Sequence, residues 1–168
     1  MIIAFDTYYY SNKAKTVCLS FDHWEDNEPI NVISEIIKGV SDYEPGAFYK
    51  RELPCILSLL KQVDLSTVDC IVVDSFVLLS DEGKLGLGGY LYEALDKKIP
   101  IIGVAKSGFH SNKKNVAELL RGDSKKPLYI SAIGVDLHEA YAKIGSMHGP
   151  YRMPTLLQVV DTETKNIG

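Results

Sequence analysis

The chain lacks most of what marks an exported, membrane-bound or zinc-binding protein. It has three cysteines, Cys18, Cys55 and Cys70, without a CxxC pair and each inside an apolar run. That pattern predicts reduced, buried thiols rather than a disulfide frame or a zinc site. Its four histidines show no HxxxH or HxH spacing. No apolar run approaches the roughly 20 residues of a membrane span, and the N-terminal run Ile2-Ile3-Ala4-Phe5 stops at Asp6, too soon for a signal peptide. The expectation is a soluble, cytoplasmic protein with no membrane partner. An excess of positive charge is missing too: 18 Lys and Arg stand against 22 Asp and Glu, so no overall field draws in a phosphate polymer. Any nucleic-acid binding would need local basic groups and bound cations. A GxxxxGK[ST] segment is absent, and no glycine-rich turn follows the first strand, which argues against a nucleotide-dependent phosphotransferase.

What remains has the make-up of one globular domain over residues 1–168, without repeats or low-complexity tracts. Residues 2 to 6 and 15 to 21 read as strands joined through Ser11-Asn12-Lys13 in an antiparallel hairpin. A third strand is expected at 29 to 37, followed by a loop over Ser41-Asp42-Tyr43-Glu44-Pro45-Gly46. Leu53, Ile56, Leu57, Leu60 and Val63 form a helical stripe, with Pro54 suited to the first turn. Alternating elements follow: strand 70 to 77, helix 85 to 97, strands 100 to 105 and 128 to 133, then helices 137 to 147 and 154 to 164. The predicted fold class is α/β, a ribonuclease H-like mixed sheet with three antiparallel strands, then parallel β-α units, and helices on both faces.

Three acids fall where this layout would gather them. Asp6 closes the first strand, Asp74 closes Ile71-Val72-Val73, and Glu52 lies at the start of the helix. The carboxyl ends of parallel strands are where α/β sheets bind ligands, and Pro100 to Ala105 would deliver Lys106 to the same edge. An aspartate after a strand is most often a turn or capping residue. Two on adjacent parallel strands repel each other, and a divalent cation relieves that repulsion. Hard cations such as Mg²⁺ take oxygen ligands and keep several waters, one of which can attack a phosphodiester. Lys106 reads either as a solvated lysine or as a cation that contacts phosphate. Tyr8-Tyr9-Tyr10 could stack on bases, though such a run more often splits between core and surface. The pairs Lys113-Lys114 and Lys125-Lys126 usually denote solvated surface.

One stretch is more specific. Tyr43-Glu44-Pro45-Gly46-Ala47-Phe48-Tyr49-Lys50-Arg51-Glu52-Leu53-Pro54 closely resembles the endonuclease V signature, Tyr-x-Pro-Gly-Phe followed by Phe-Arg-Glu-x-Pro. Asp6-Thr7-Tyr8-Tyr9, Val72-Val73-Asp74 and Ile99 to Lys106 resemble further segments of that family, as do Pro127 to Ser131 and Tyr151 to Pro154. The resemblance implies Mg²⁺-dependent cleavage, with Mn²⁺ as substitute, of a phosphodiester near a deaminated base such as inosine, in DNA or RNA. It implies Asp6, Glu52 and Asp74 as metal ligands, and Lys106 as the fourth catalytic residue. Tyr43, with Pro45 and Gly46, would hold the altered base out of the stack, while Gly103 and Ala105 would leave room beside it. A monomer is expected. Two departures stand out. The family's His-Pro-Arg-Arg segment corresponds here to Leu79-Ser80-Asp81-Glu82-Gly83-Lys84, with Tyr90 in place of a later histidine, and the helical segment that usually precedes the first strand does not precede it here. The acidic loop also fits a second reading, a weakly active or inactive relative that binds nucleic acid or protein.

Overall fold

The computed structural model describes residues 1–39, 49–108 and 112–167. The expected loop over 41 to 46, and with it Tyr43, Pro45 and Gly46, lies outside the described residues. β1 (Ile2–Tyr10) and β2 (Lys13–Phe21) form the antiparallel hairpin that the sequence predicts, and both strands run closer to the turn than their apolar residues announce. Ser11 and Asn12 explain the extension. Both have positive φ, 45° and 60°, the two-residue geometry whose twist matches the flanking strands. β3 (Asn31–Lys38) adds antiparallel to β2 and forms one edge of the sheet.

On the other side of β1, β4 (Cys70–Val73) pairs parallel to it, and β5 (Ile101–Ala105) pairs parallel to β4. The carboxyl ends of β1, β4 and β5 therefore share one edge, as the placement of Asp6, Asp74 and Lys106 requires. Beyond β5 the parallel pattern stops. β7 (Leu128–Ile133) runs antiparallel to β5, and among the described residues no helix intervenes to return the chain to the starting end. β6 (Ala117–Leu119), with three residues too short to leave a period in the sequence, closes the far edge. The strand order is β3-β2-β1-β4-β5-β7-β6, the mixed sheet of a ribonuclease H-like fold.

The side-chain alternation of the central strands divides the core in two. Ile3, Phe5, Cys18, Ile71 and Val73 face α1 (Tyr49–Leu60) and α2 (Leu87–Ala94). Ala4, Val17, Leu19, Val72 and Val104 face α3 (Leu137–Ser146) and α4 (Thr155–Lys165). Tyr49 is already helical, so Pro54 falls in the second turn of α1 rather than the first. It stands on the exposed side, where its ring forfeits one helical hydrogen bond without opening the core. All three cysteines are free and buried, as their apolar settings predict. Among the described residues no helix is long and apolar enough to cross a membrane.

The turn yields a simple test. Replacing Ser11-Asn12 by Asn-Gly, the pair best suited to positive φ at both positions, should stabilise the protein by about 0.5–1 kcal/mol, read from chemical denaturation at an unchanged slope.

Candidate active site

Strand alternation decides which acids meet. Asp6 and Asp74 follow Phe5 and Val73, which face α1, so both carboxylates point to the α4 side of the sheet edge. Lys106 follows Ala105 at the end of β5 and reaches the same pocket, together with Val104, Met153, Leu157 and Asp161. Asp161 is the residue that sequence reasoning missed. It sits in the second turn of α4, where Asp161 and Lys165 pair at 3.1 Å with i,i+4 spacing. In a sequence such a pair reads as an ordinary exposed helix face. The only signal that could have found it is the apolar stripe Leu156, Leu157, Val160, whose packing turns the adjacent Asp161 toward the strand ends.

Asp6 lies between Asp74 and Asp161, in reach of hydrogen bonds to both. Only 7% of Asp6 is exposed, too little for water to solvate its charge. Burial first, then repulsion from Asp74, pushes its carboxyl up to about 8, against a partial offset from the Thr7 amide, which donates at 2.8 Å. Asp161 moves the other way. Burial alone would raise it, but the hydrogen bond from Lys165, the charge of Lys106 and the proton donated by Asp6 together bring it below the usual carboxylate range. Asp6 thus holds a proton more firmly than Asp161 does. Asp74 is raised as well, because protein crowds it on most sides, while Lys106 pulls it back. It is nonetheless exposed, standing at the lip of the pocket where solvent and ligand enter.

Glu52 approaches from the opposite face. Thr7 points toward α1, where its hydroxyl donates to Glu52 and lies 3.0 Å from that of Thr16. Burial, with repulsion from Asp6 and then Asp74, pushes Glu52 up to about 8. Of the four expected catalytic residues, three line one pocket together with Asp161, and Glu52 stands just across the strand end. Among the described residues no three His, Cys, Asp or Glu side chains already form a cage for an ion. The chemistry of the donors nonetheless fits a hard divalent cation. They are all carboxylates, their protons are held by mutual repulsion and poor solvation, and replacing those protons by one ion would let them ionise together.

Gly103 and Ala105 lie inside the sheet edge. A side chain at Gly103 would collide with the Ser75 carbonyl and the Ser131 hydroxyl, which itself accepts from the Val77 amide at 2.9 Å. Ala105 packs with Phe76 and Leu79. The acidic loop is put to structural use: the Asp81 carboxylate accepts from the amides of Lys113 and Lys114 at 2.6 and 2.7 Å. Nearby, Asn115 donates to the Ser80 carbonyl and Asn112 to that of Leu78.

The lead into α4 is fixed by Arg121. Its buried guanidinium donates to the carbonyls of Tyr151 at 2.7 Å, Arg152 at 3.3 Å, Met147 at 2.6 Å and Gly149 at 3.2 Å. Gly122 has φ +61°, and a side chain there would strike the Pro150 carbonyl, so the 147–152 segment can lie directly on this turn. Arg152 then donates to the carbonyls of Lys106 and Pro127. One segment therefore sets both α4, with Asp161, and the backbone of Lys106.

Two predictions follow from these couplings. Asp6 and Glu52 bind protons more tightly folded than unfolded, so the stability they contribute is full below their ordinary values of 3.8 and 4.5 and is lost as pH rises toward 8. The melting temperature of the cation-free protein should fall between about pH 5 and pH 8, and added Mg²⁺ should raise it most at the alkaline end. Arg121→Met should destabilise by about 3 kcal/mol or more, read by denaturant unfolding, because it leaves four inward carbonyls without donors.

Comparison with known proteins accords with the site. The family model for endonuclease V matches residues 1–162. No match was found among curated protein sequences. Solved structures of similar fold include human ENDOV, 21% identical with a TM-score of 0.74, over 98% of this chain and 82% of that one. A Ciona intestinalis endonuclease V, in complex with a 24mer DNA containing an inosine followed by a ribo-adenosine, is 17% identical with a TM-score of 0.78 over 98% and 84% of the two chains. The Streptomyces avermitilis endonuclease V is 22% identical with a TM-score of 0.75, over 98% and 79%. With nearly its full length matched by the family model, and with acids and a lysine gathered at one sheet edge, the chain belongs to the endonuclease V family.

Proposed function

We propose that this protein is a Mg²⁺-dependent endonuclease that hydrolyses a phosphodiester bond near a deaminated base such as inosine, in DNA or RNA. The observation that carries the proposal is the run Asp74–Asp6–Asp161 facing Lys106 at the carboxyl ends of parallel strands. So much crowded negative charge costs stability without a cation and has no use in a scaffold. Membership of a nuclease family and the inosine-containing DNA bound by the Ciona relative support the same reading.

Asp6 and Asp74 would hold the ion, with Glu52 reaching over the strand end as a third oxygen donor. When bound, a divalent cation would make a coordinated water more acidic and neutralise charge that builds on the phosphate. Lys106, which lines the same pocket, would pair with a non-bridging phosphate oxygen across the exposed side of Asp74, where that charge would develop. Asp161, paired to Lys165 and held below the usual carboxylate range, would stay ionised, so the proton that Asp6 gives up would pass to solvent. Tyr43, Pro45 and Gly46 would meet the altered base, with Gly103 and Ala105 keeping the strand end beside it narrow.

A weakly active relative remains the second reading. It is favoured by one observation: Asp81 replaces a basic family position and is committed to the 112–115 segment. Cleavage of inosine-containing DNA and RNA oligonucleotides with Mg²⁺ or Mn²⁺ separates the two. Asp6→Asn and Asp74→Asn should each lower the rate by about 10²-fold or more, Lys106→Met by a similar order, and chelator should abolish it. Binding without turnover, unaffected by chelator, would instead establish the second reading.

A further inference from the structure

The hairpin does not end at the acids. β4 stops pairing with β1 at Phe5, whereas β1 continues to Tyr10 with β2 and β3 still attached. On the face that carries Asp6, the register sets out successive cross-strand rows. Asp6–Val17–Ser34 comes first, then Tyr8–Lys15–Ile36, then Tyr10–Lys13–Lys38. Tyr8 and Tyr10 stack on each other, with ring centroids 5.9 Å apart and planes within 16°. Both are partly exposed, Ile36 is 50% exposed and Lys38 is exposed.

Charge is sorted between the two faces of this extension. Glu35, the acid of β3, falls in the row Thr7–Thr16–Glu35 on the α1 face, where Ser58 donates to it at 2.7 Å. Arg51 lies on that face too, 3.6 Å over the ring of Tyr9. The Asp6 face beyond the acid cluster therefore carries lysines and no acid of β1, β2 or β3. Lys15 donates to the Asn166 carbonyl at 2.6 Å, and Lys165, the last residue of α4 and paired with Asp161, stands near Tyr8. In a chain of net charge −4 this is a local reversal of sign, next to the one place where a phosphodiester would be cut.

We propose that this face is the platform for an unpaired stretch of the nucleic-acid strand next to the scissile phosphate, with bases against Tyr8 and Tyr10 and phosphates along Lys13, Lys15 and Lys38. Aromatic faces accept any base, and a basic border tracks the backbone, so the platform binds single-stranded substrate without reading its sequence. Two residues along a strand advance the ring position by about 6.6 Å, so the tyrosines stand one and two such steps from Asp6. The proposal rests on the nuclease reading, for it takes the strand to end at the acids.

The test measures binding and turnover separately. A fluorescently labelled single-stranded oligonucleotide is titrated into wild type, Tyr8→Leu, Tyr10→Leu, Tyr8→Phe and Lys13→Gln/Lys38→Gln, with Ca²⁺ in place of Mg²⁺ to suppress cleavage. The leucine variants should each weaken binding by about ten-fold, with Tyr8→Phe close to wild type, since a phenyl face still stacks. The double glutamine variant should lower the slope of log affinity against log salt by about 1.4. With Mg²⁺ and an inosine-containing strand, the same variants should raise KM and leave kcat near wild type. Wild-type affinity in the leucine variants together with an unchanged salt slope overturns the platform, as does a wild-type protein that does not bind the oligonucleotide. If the wild type binds in a tyrosine-dependent way and cuts nothing, the platform stands and the nuclease reading fails. If it cuts and the variants behave like wild type, the reverse holds. Should a leucine variant fail to fold, the lysine variants, on partly exposed and exposed positions, decide through the salt slope.

Discussion

Electrostatic repulsion among carboxylates at one sheet edge is the constraint around which this protein is arranged. Asp74, Asp6 and Asp161 are brought together by parallel pairing of β1 with β4 and by the packing of α4, and Glu52 adds a fourth acid from the other face. The hydrophobic cores on either side force these contacts: Phe5 and Val73 must point one way, so Asp6 and Asp74 point the other. Burial and this repulsion raise the proton affinity of Asp6, while Lys165 and Lys106 keep Asp161 below the usual carboxylate range.

Much of this was legible before any coordinates. Asp74 and Lys106 directly follow apolar runs that end their strands, so both could be placed from pattern alone, and β7 falls where its apolar run begins and ends; Asp6 lies inside β1 and marks only where its parallel pairing with β4 stops. Directions were harder. The reversal of β7 relative to β5 goes with a connection that has no helix among its described residues, and no residue type reports that. The three residues of β6 carry too little pattern for a period. Asp161 was hidden because Lys165, four residues on, makes it resemble half of a surface ion pair. Tyr49 extends α1 a turn before Leu53, where the apolar stripe begins, and so moves Pro54 into the helix body.

The departures from the family pattern gain a physical meaning in the fold. Asp81 accepts from two amides of the 112–115 segment, so the acidic 79–84 loop is stapled to it. Tyr90 stacks on Tyr49 with centroids 3.8 Å apart and joins α2 to α1, the helix that carries Glu52. Besides Lys106 and Lys165, lysines near the site stand on β2 and β3, in Lys13, Lys15 and Lys38.

Arg121 gives the frame a property that the acids lack. Its guanidinium is gripped by four carbonyls, and no carboxylate pairs with it among the described residues. Burial lowers its affinity for the proton, yet a guanidinium keeps its charge throughout the range in which proteins work. Carbonyl acceptors neither titrate nor exchange with salt ions. The mounting of α4 and of the Lys106 backbone is therefore indifferent to acidity and ionic strength, while the carboxylates it supports respond to both: a fixed chassis around an adjustable charge.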